Sequence, residues 1–179
     1  FVDKKAPYLL ILTVQKLIEK IPNIHLILAG DGYLFETCKR MVTALNLEKY
    51  ISIPGAIEHI KVKELMESAD IYIQHSVEAF DGDCEGLPNS ILEAAASGLP
   101  IVATPHAGIC DVLVHRENAL LTEENNVQAM ADAIIELYEN VEFANSLALR
   151  ARKTIEEHYE LNYTLSNLKL ILEKAINER

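Results

Sequence analysis

The chain has 179 residues, 16 Lys plus Arg against 27 Asp plus Glu for a formal net charge of −11, and half of its residues are apolar. That composition excludes collagen, disulfide-scaffold and disordered classes, and no apolar run approaches the length needed to span a bilayer. The acidic balance argues against a broad nucleic-acid or anionic-membrane footprint on this chain. Three cysteines, Cys38, Cys84 and Cys110, are odd in number and lack metal spacing. With no basic-then-apolar leader, a reduced cytoplasmic compartment is expected.

Short β-rich runs alternate with longer helical stripes. Leu10, Val14, Leu17, Ile18 and Ile21 recur at helical spacing, and Pro22-Asn23 is expected to stop that helix. Residues 24–29 form a nearly continuous apolar run, the pattern of a parallel strand covered on both faces, and Gly30-Asp31-Gly32 turns the chain out of it. A second helix carries Leu34, Cys38, Met41, Val42 and Leu45. Residues 51–53 read as a strand broken at Pro54-Gly55, 60–68 as a short helix, and 71–73 as another buried strand. An irregular acidic segment, 76–88, leads into a helix from about Pro88 or Ser90 to Ser97. A strand at 100–103, a helix at 108–114 and a strand at 119–121 follow. Three helices then carry Val127 to Tyr138, Ala144 to Ile155 and Leu165 to Ala175. Alternation at these lengths predicts α/β architecture: one doubly wound parallel sheet with helices on both faces.

Ligands of such sheets bind outside the carboxyl ends of the strands, where loops feed helix N-termini. That rule singles out residues 30–33, 54–59, 75–90 and 104–111. Gly30 and Gly32 leave room for a ligand near the backbone, although the turn lacks a dinucleotide fingerprint or a phosphate loop and reads equally well as a plain strand-to-helix turn. In 85–93 two carboxylates, Glu85 and Glu93, stand eight positions apart around a helix start. Helix N–H groups there can hold a phosphate, and the carboxylates can accept sugar hydroxyls. Ser90 and Glu93 also fit a capping box, which explains the same letters without a ligand. Thr104 to Gly108 is a second candidate cradle or an ordinary βα loop. His75, Glu78, Asp81, Asp83, Cys84 and Glu85 lack metal spacing and read as a solvated acidic loop. Acidic neighbours should raise the Cys84 thiol pKa, which argues against a nucleophile.

The run Glu85-Gly-Leu-Pro-Asn-Ser-Ile-Leu-Glu93-Ala, with the later Gly98-Leu-Pro-Ile-Val-Ala-Thr-Pro-His-Ala-Gly-Ile-Cys-Asp111, closely resembles retaining glycosyltransferases of family 4. The Ala29 to Gly32 turn, the Ala69 to Ile73 strand and the opening Phe1 to Pro7 segment fall where that family has its own. The acidic insert, 77–84, is similar to the bacterial exopolysaccharide and colanic-acid branch. The resemblance implies a GT-B fold, of which residues 1–179 would be the C-terminal, Rossmann-like donor domain. The N-terminal acceptor domain would lie outside this chain, and residues 160–179 would form a helix packing toward it. It further implies that Lys5 contacts the donor diphosphate and Glu85 the donor sugar, as the catalytic pair. Glu93 would bond the ribose, and Gly86, Leu87, Pro88, Asn89 and Ser90 would face the phosphates. Gly30, Gly32, Thr104 and Gly108 would complete the donor site. No metal or other cofactor is expected, the nucleotide-diphosphate sugar being a substrate. Ala6, Ala107, Cys110 and Asp111 replace the family's Gly, Gly, Pro and Glu.

The expected function is sugar transfer from a nucleotide-diphosphate sugar to a saccharide or lipid-linked acceptor in bacterial polysaccharide or lipopolysaccharide synthesis, the isolated domain binding donor without turnover. Membrane contact, if any, would be made by the domain outside this chain. The alternatives are an inactive GT-B-like scaffolding module, disfavoured by the presence of Lys5, Glu85 and Glu93, and a sugar-nucleotide epimerase.

Overall fold

A computed structural model describes residues 1–177. After a 3-10 turn over Asp3–Lys5, the elements run α1 (Pro7–Leu17), β1 (Leu26–Ala29), α2 (Phe35–Ala44), β2 (Ile51–Gly55), α3 (His59–Ser68) and β3 (Tyr72–Gln74). The order continues with α4 (Asn89–Ala96), β4 (Ile101–Ala103), α5 (Ala107–Cys110), β5 (Leu120–Leu121), α6 (Val127–Glu139), α7 (Val141–His158) and α8 (Leu161–Asn177). All strand pairs are parallel. They form a β1–β2 pair and a β3–β4–β5 sheet, with Tyr72 opposite Ile101 and Val102 opposite Leu120.

The centre of the fold is β4, whose three residues are all buried. Val102 faces a cluster with Leu17, Leu120, Met130, Ile134, Leu137 and Leu147, from α1, β5, α6 and α7. Ile101 and Ala103 face the opposite cluster, with Met66, Ile91, Ala95, Ile109, Leu113 and Ala151. Side chains alternate across a strand, so a strand buried throughout requires helices on both faces, and the sequence expectation holds there.

It does not hold for β1. Burial alternates along that strand, and Ile27 is 43% exposed. One face packs on α1 and α2 through Ile11, Val14, Cys38 and Val42, while the other carries His25 beside Ser52 at 2.8 Å. An apolar run records composition and cannot tell whether a helix lies on the second face. Two helix ends also differ from expectation. Helix α1 stops at Leu17 and passes into a turn ahead of Pro22, whose ring disfavours helical geometry in the preceding residue. Helix α5 stops at Cys110, because the buried Asn118 side chain accepts the Val114 N–H at 2.7 Å and donates to the Val112 carbonyl at 2.9 Å, drawing the segment into a turn. Among the described residues no helix is long and apolar enough to cross a membrane.

Ala6, where the family has Gly, adopts φ 33° and ψ 53° between the 3-10 turn and α1. A Cβ in this region costs roughly 1–2 kcal/mol. The conformation is held by the Ala6 N–H to Asp3 carbonyl bond at 2.8 Å and by burial of the methyl against Leu9 and Val77.

His75, just past β3, is fully buried, and neither ring nitrogen has a hydrogen-bond partner among the described residues. Burial pushes its pKa down to about 4, against a smaller opposing pull from Glu124. A folded-state pKa below the unfolded value of 6.5 means that the unfolded chain binds the proton first, so His75 costs stability as pH falls from about 6.5 toward about 4. Between pH 7 and pH 5 the native chain is expected to lose about 2 kcal/mol more than His75→Leu, measured by urea unfolding at each pH.

Candidate functional site

The candidate residues gather where the theory of parallel sheets places them, at the carboxyl ends of β1, β3 and β4. The opening segment lies across the β1 turn. The Phe1 nitrogen donates to the Asp31 carbonyl at 2.6 Å, the Leu34 N–H donates to the Phe1 carbonyl at 3.1 Å, and the Asp3 N–H donates to the Tyr33 hydroxyl at 2.9 Å. Gly32 makes this approach possible: at φ 147°, an added Cβ would sit 2.3 Å from the Phe1 carbonyl oxygen. The glycine thus serves chain-to-chain contact, a role the sequence reading did not separate from ligand approach.

That docking carries Lys4 and Lys5 to the acidic segment. Lys5 Nζ lies 3.3 Å from Glu85 Oε1, with the Glu85 side chain 8% exposed and Lys5 42%. A buried carboxylate needs a partner, and the lysine supplies the charge while keeping its own head in water. Lys4 pairs with Asp83 at 3.0 Å, and its carbonyl accepts the Val77 N–H at 2.9 Å. The bond to Asp83 raises the Lys4 pKa. Lys4 was not marked by the sequence, because nothing in its own neighbourhood announces a partner 79 positions away.

Helix α4 begins at Asn89, with Pro88 at its N-cap and no side-chain cap. The capping-box explanation of Ser90 and Glu93 therefore fails. Ser90 already lies inside the helix, and its hydroxyl donates to Gln74 Oε1 at 3.3 Å and lies 2.8 Å from the Tyr72 hydroxyl. Glu93 is exposed on the next turn, and its side chain has no hydrogen bond or ion pair among the described residues. Gly86 and Asn89 are exposed, Leu87 is half-buried and Pro88 is buried. A helix start without a side-chain cap leaves N–H groups for an anion, with the helix dipole adding to the attraction.

Beneath this lies a polar knot that the sequence did not reveal as one. The Tyr72 hydroxyl is 2.8 Å from Gln74 Oε1, and the Gln74 amide donates to Ser76 Oγ at 2.9 Å. Burial pushes the Tyr72 pKa up to about 12, keeping the phenol protonated. Thr104 is fully buried and donates its hydroxyl to the Ser76 carbonyl at 2.7 Å, so its side chain supports the acidic loop from below. Gly108 opens against that same loop. An added Cβ there would lie 2.7 Å from Gly86 C and from Leu87 N.

The Cys84 thiol pKa is raised, first by desolvation and then by Glu78, Glu124 and Asp83, so the nearby carboxylates act in the direction expected. Among the described residues no three His, Cys, Asp or Glu side chains form a metal-holding group. A groove of about 480 Å³ runs between β5 and α6 past His115, Asn126 and Glu136, and none of the candidate residues lines it. The candidate residues lie instead along the strand ends.

Because both atoms facing the missing Gly108 Cβ belong to backbone, Gly108→Ala should force α5 away from the α4 loop. A loss of about 2 kcal/mol and a melting point lower by several degrees are expected in thermal unfolding.

Comparison with known proteins identifies the family. The family model for "Glycosyl transferases group 1" matches residues 1–154. The amylovoran biosynthesis glycosyltransferase AmsK of Erwinia amylovora is 30% identical over 145 residues, covering 81% of this chain and 36% of AmsK. The chain thus spans about a third of the length of the curated relatives it matches. Among solved structures, S. aureus TarM in complex with fondaparinux, α-GlcNAc-glycerol and UDP superposes with a TM-score of 0.82 and 26% identity, over 99% of this chain and 33% of TarM. Anabaena HepE in complex with UDP-glucose gives 0.86 at 22% identity, over 97% of this chain and 46% of HepE, which speaks for the fold. With these strands, this loop and this match, the chain belongs to the group 1 glycosyl transferases, and its architecture is that of one half of a GT-B fold.

Proposed function

We propose that this domain binds the donor of a retaining glycosyltransferase, a nucleotide-diphosphate sugar, and stabilises the diphosphate as it leaves. The observation that carries the reading is the meeting of Lys5, buried Glu85 and the α4 N-terminus without a side-chain cap at one sheet edge, with Glu93 unengaged beside them. UDP in the TarM structure supports a nucleotide ligand.

The chemistry follows from charge. As the bond from anomeric carbon to phosphate oxygen breaks, negative charge grows on the diphosphate. Lys5 and the first N–H groups of α4 lie on the side where that charge would be held, so they stabilise the transition state more than the ground state. Glu85 accepts hydroxyls of the donor sugar, and Glu93 accepts the ribose hydroxyls. The leaving phosphate can take the acceptor proton, so no general base is asked of this domain. Gly30 and Gly32 lie at the nucleotide end, Gly86, Leu87, Pro88, Asn89 and Ser90 at the phosphates, and Thr104 and Gly108 hold the loop that carries them.

By this reading the acceptor is held by sequence beyond this domain, and the full enzyme transfers sugar to a saccharide or lipid-linked acceptor in polysaccharide synthesis, the setting that AmsK's name gives for AmsK. Helix α8 fits the same division. Leu165, Leu168, Leu172 and Ile176 are all more than half exposed along it, an apolar stripe suited to packing on a second domain.

Nucleotide binding is the test. A ligand that binds only the folded state stabilises it by about 2.7 kcal/mol at a concentration one hundred times its Kd. In a thermal-shift and calorimetric panel of UDP, GDP, ADP and their sugars, one nucleotide should raise the melting point selectively. Glu93→Ala should weaken that binding about tenfold, equivalent to about 1.4 kcal/mol, with the unliganded melting point unchanged. A flat panel would instead favour the scaffolding module.

A further inference from the structure

Glu124 lies in the five-residue connection from β5 to α6, between two pinned points. On one side the Thr122 N–H donates to the Ala103 carbonyl at 2.9 Å, fixing the loop to β4. On the other, Asn126 caps α6 by accepting the Ala129 N–H at 2.9 Å. Asn125 between them takes a left-handed φ of 58°. From this stiff base Glu124 reaches two other loops at once. Its Oε2 accepts the Glu78 N–H at 3.0 Å. Its Oε1 lies 3.2 Å from Nε2 of the buried His106, in direct contact with the ring though not in hydrogen-bond geometry.

The two loops are the walls of the candidate donor site. The Glu78 loop ends in Glu85, and His106 immediately precedes the α5 turn whose Gly108 rests on Gly86 and Leu87. Among the described residues the 77–84 segment is otherwise tied to the body by the buried Val77 side chain, by the Val77 N–H to the Lys4 carbonyl and by the Lys4–Asp83 pair, while the Ala79 and Gly82 amides bond within the segment. Glu124 supplies a tie from the opposite side. His75, buried nearby, feels the same carboxylate but makes no hydrogen bond to it.

We propose that Glu124 is a positioning residue that clasps the 76–85 loop to the 104–108 loop and so sets the spacing of the donor cradle without touching the donor. The cradle's function rests on the donor-binding reading above; the clasp itself does not.

Hydrogen exchange read by mass spectrometry on this chain tests the clasp, with UDP titration alongside. In Glu124→Ala the amides of 76–87 should exchange about tenfold faster, while those of β3 and β4 keep their protection. UDP affinity should fall about fivefold to tenfold by the same loosening. Glu124→Gln, whose amide oxygen still accepts the Glu78 N–H, should restore both to near the native values. Faster exchange throughout the domain, unchanged exchange in 76–87, or a Gln variant as loose as the Ala variant would overturn the clasp. Loosening with undiminished UDP affinity would overturn its positioning role. If the native chain binds no nucleotide, the donor reading fails on that result alone, and the exchange pattern still decides the clasp.

Discussion

A parallel sheet buried on both faces leaves its polar chemistry nowhere to go except the strand ends, and this constraint governs the domain. Strand β4 has no exposed residue. Its neighbours can therefore turn polar only as they leave the sheet, which they do abruptly at Gln74, Ser76 and Thr104. The bonds among these residues, Tyr72 and Ser90 join the β3 end, the β4 end and the first turn of α4. Buried polar groups are costly unless each finds a partner, so the knot is an all-or-none arrangement, and that rigidity makes it a foundation for a site.

The loops standing on that foundation are tied by weaker and more exposed interactions. Lys4 with Asp83 is a surface pair, worth little by itself in water. Lys5 with Glu85 is half-buried and stronger in principle, yet Lys5 remains exposed enough to exchange its carboxylate for a phosphate. Rigid strand ends beneath and adjustable ion pairs above are consistent with the proposed binding of a charged ligand. Gly32 and Gly108 serve the same division of labour. Each lets one backbone segment lie directly on another, so loops distant in sequence share walls.

Much of this was legible from the chain alone. The alternation of apolar runs and helical stripes determined a parallel α/β domain, because buried strands and amphipathic helices leave different periodicities in sequence. The carboxyl-end rule then marked residues 30–33, 54–59, 75–90 and 104–111, and the motif from Glu85 to Glu93 identified the family. Local signals erred where they were ambiguous in themselves. Ser90 and Glu93 have capping-box spacing, but the helix begins one residue earlier and Ser90 is drawn to Gln74 instead. The run ending at Ala29 is as apolar as a strand buried on both faces, yet its outer face carries Ile27 in the open.

What the sequence by itself determined was therefore the kind of fold and the family, with a set of candidate residues at the carboxyl ends of the strands. Tertiary structure alone decided which of those residues meet. Lys5 and Glu85 are 80 positions apart, the loop holding Glu124 is 46 positions from Glu78, and the Phe1 carbonyl fits over Gly32 from across the domain. Periodicity and capping are written within one or two turns of chain, where neighbouring residues share a backbone geometry. Contacts between distant loops depend on how helices settle on both faces of the sheet, and that packing is a sum over the whole core that no local stretch of sequence contains.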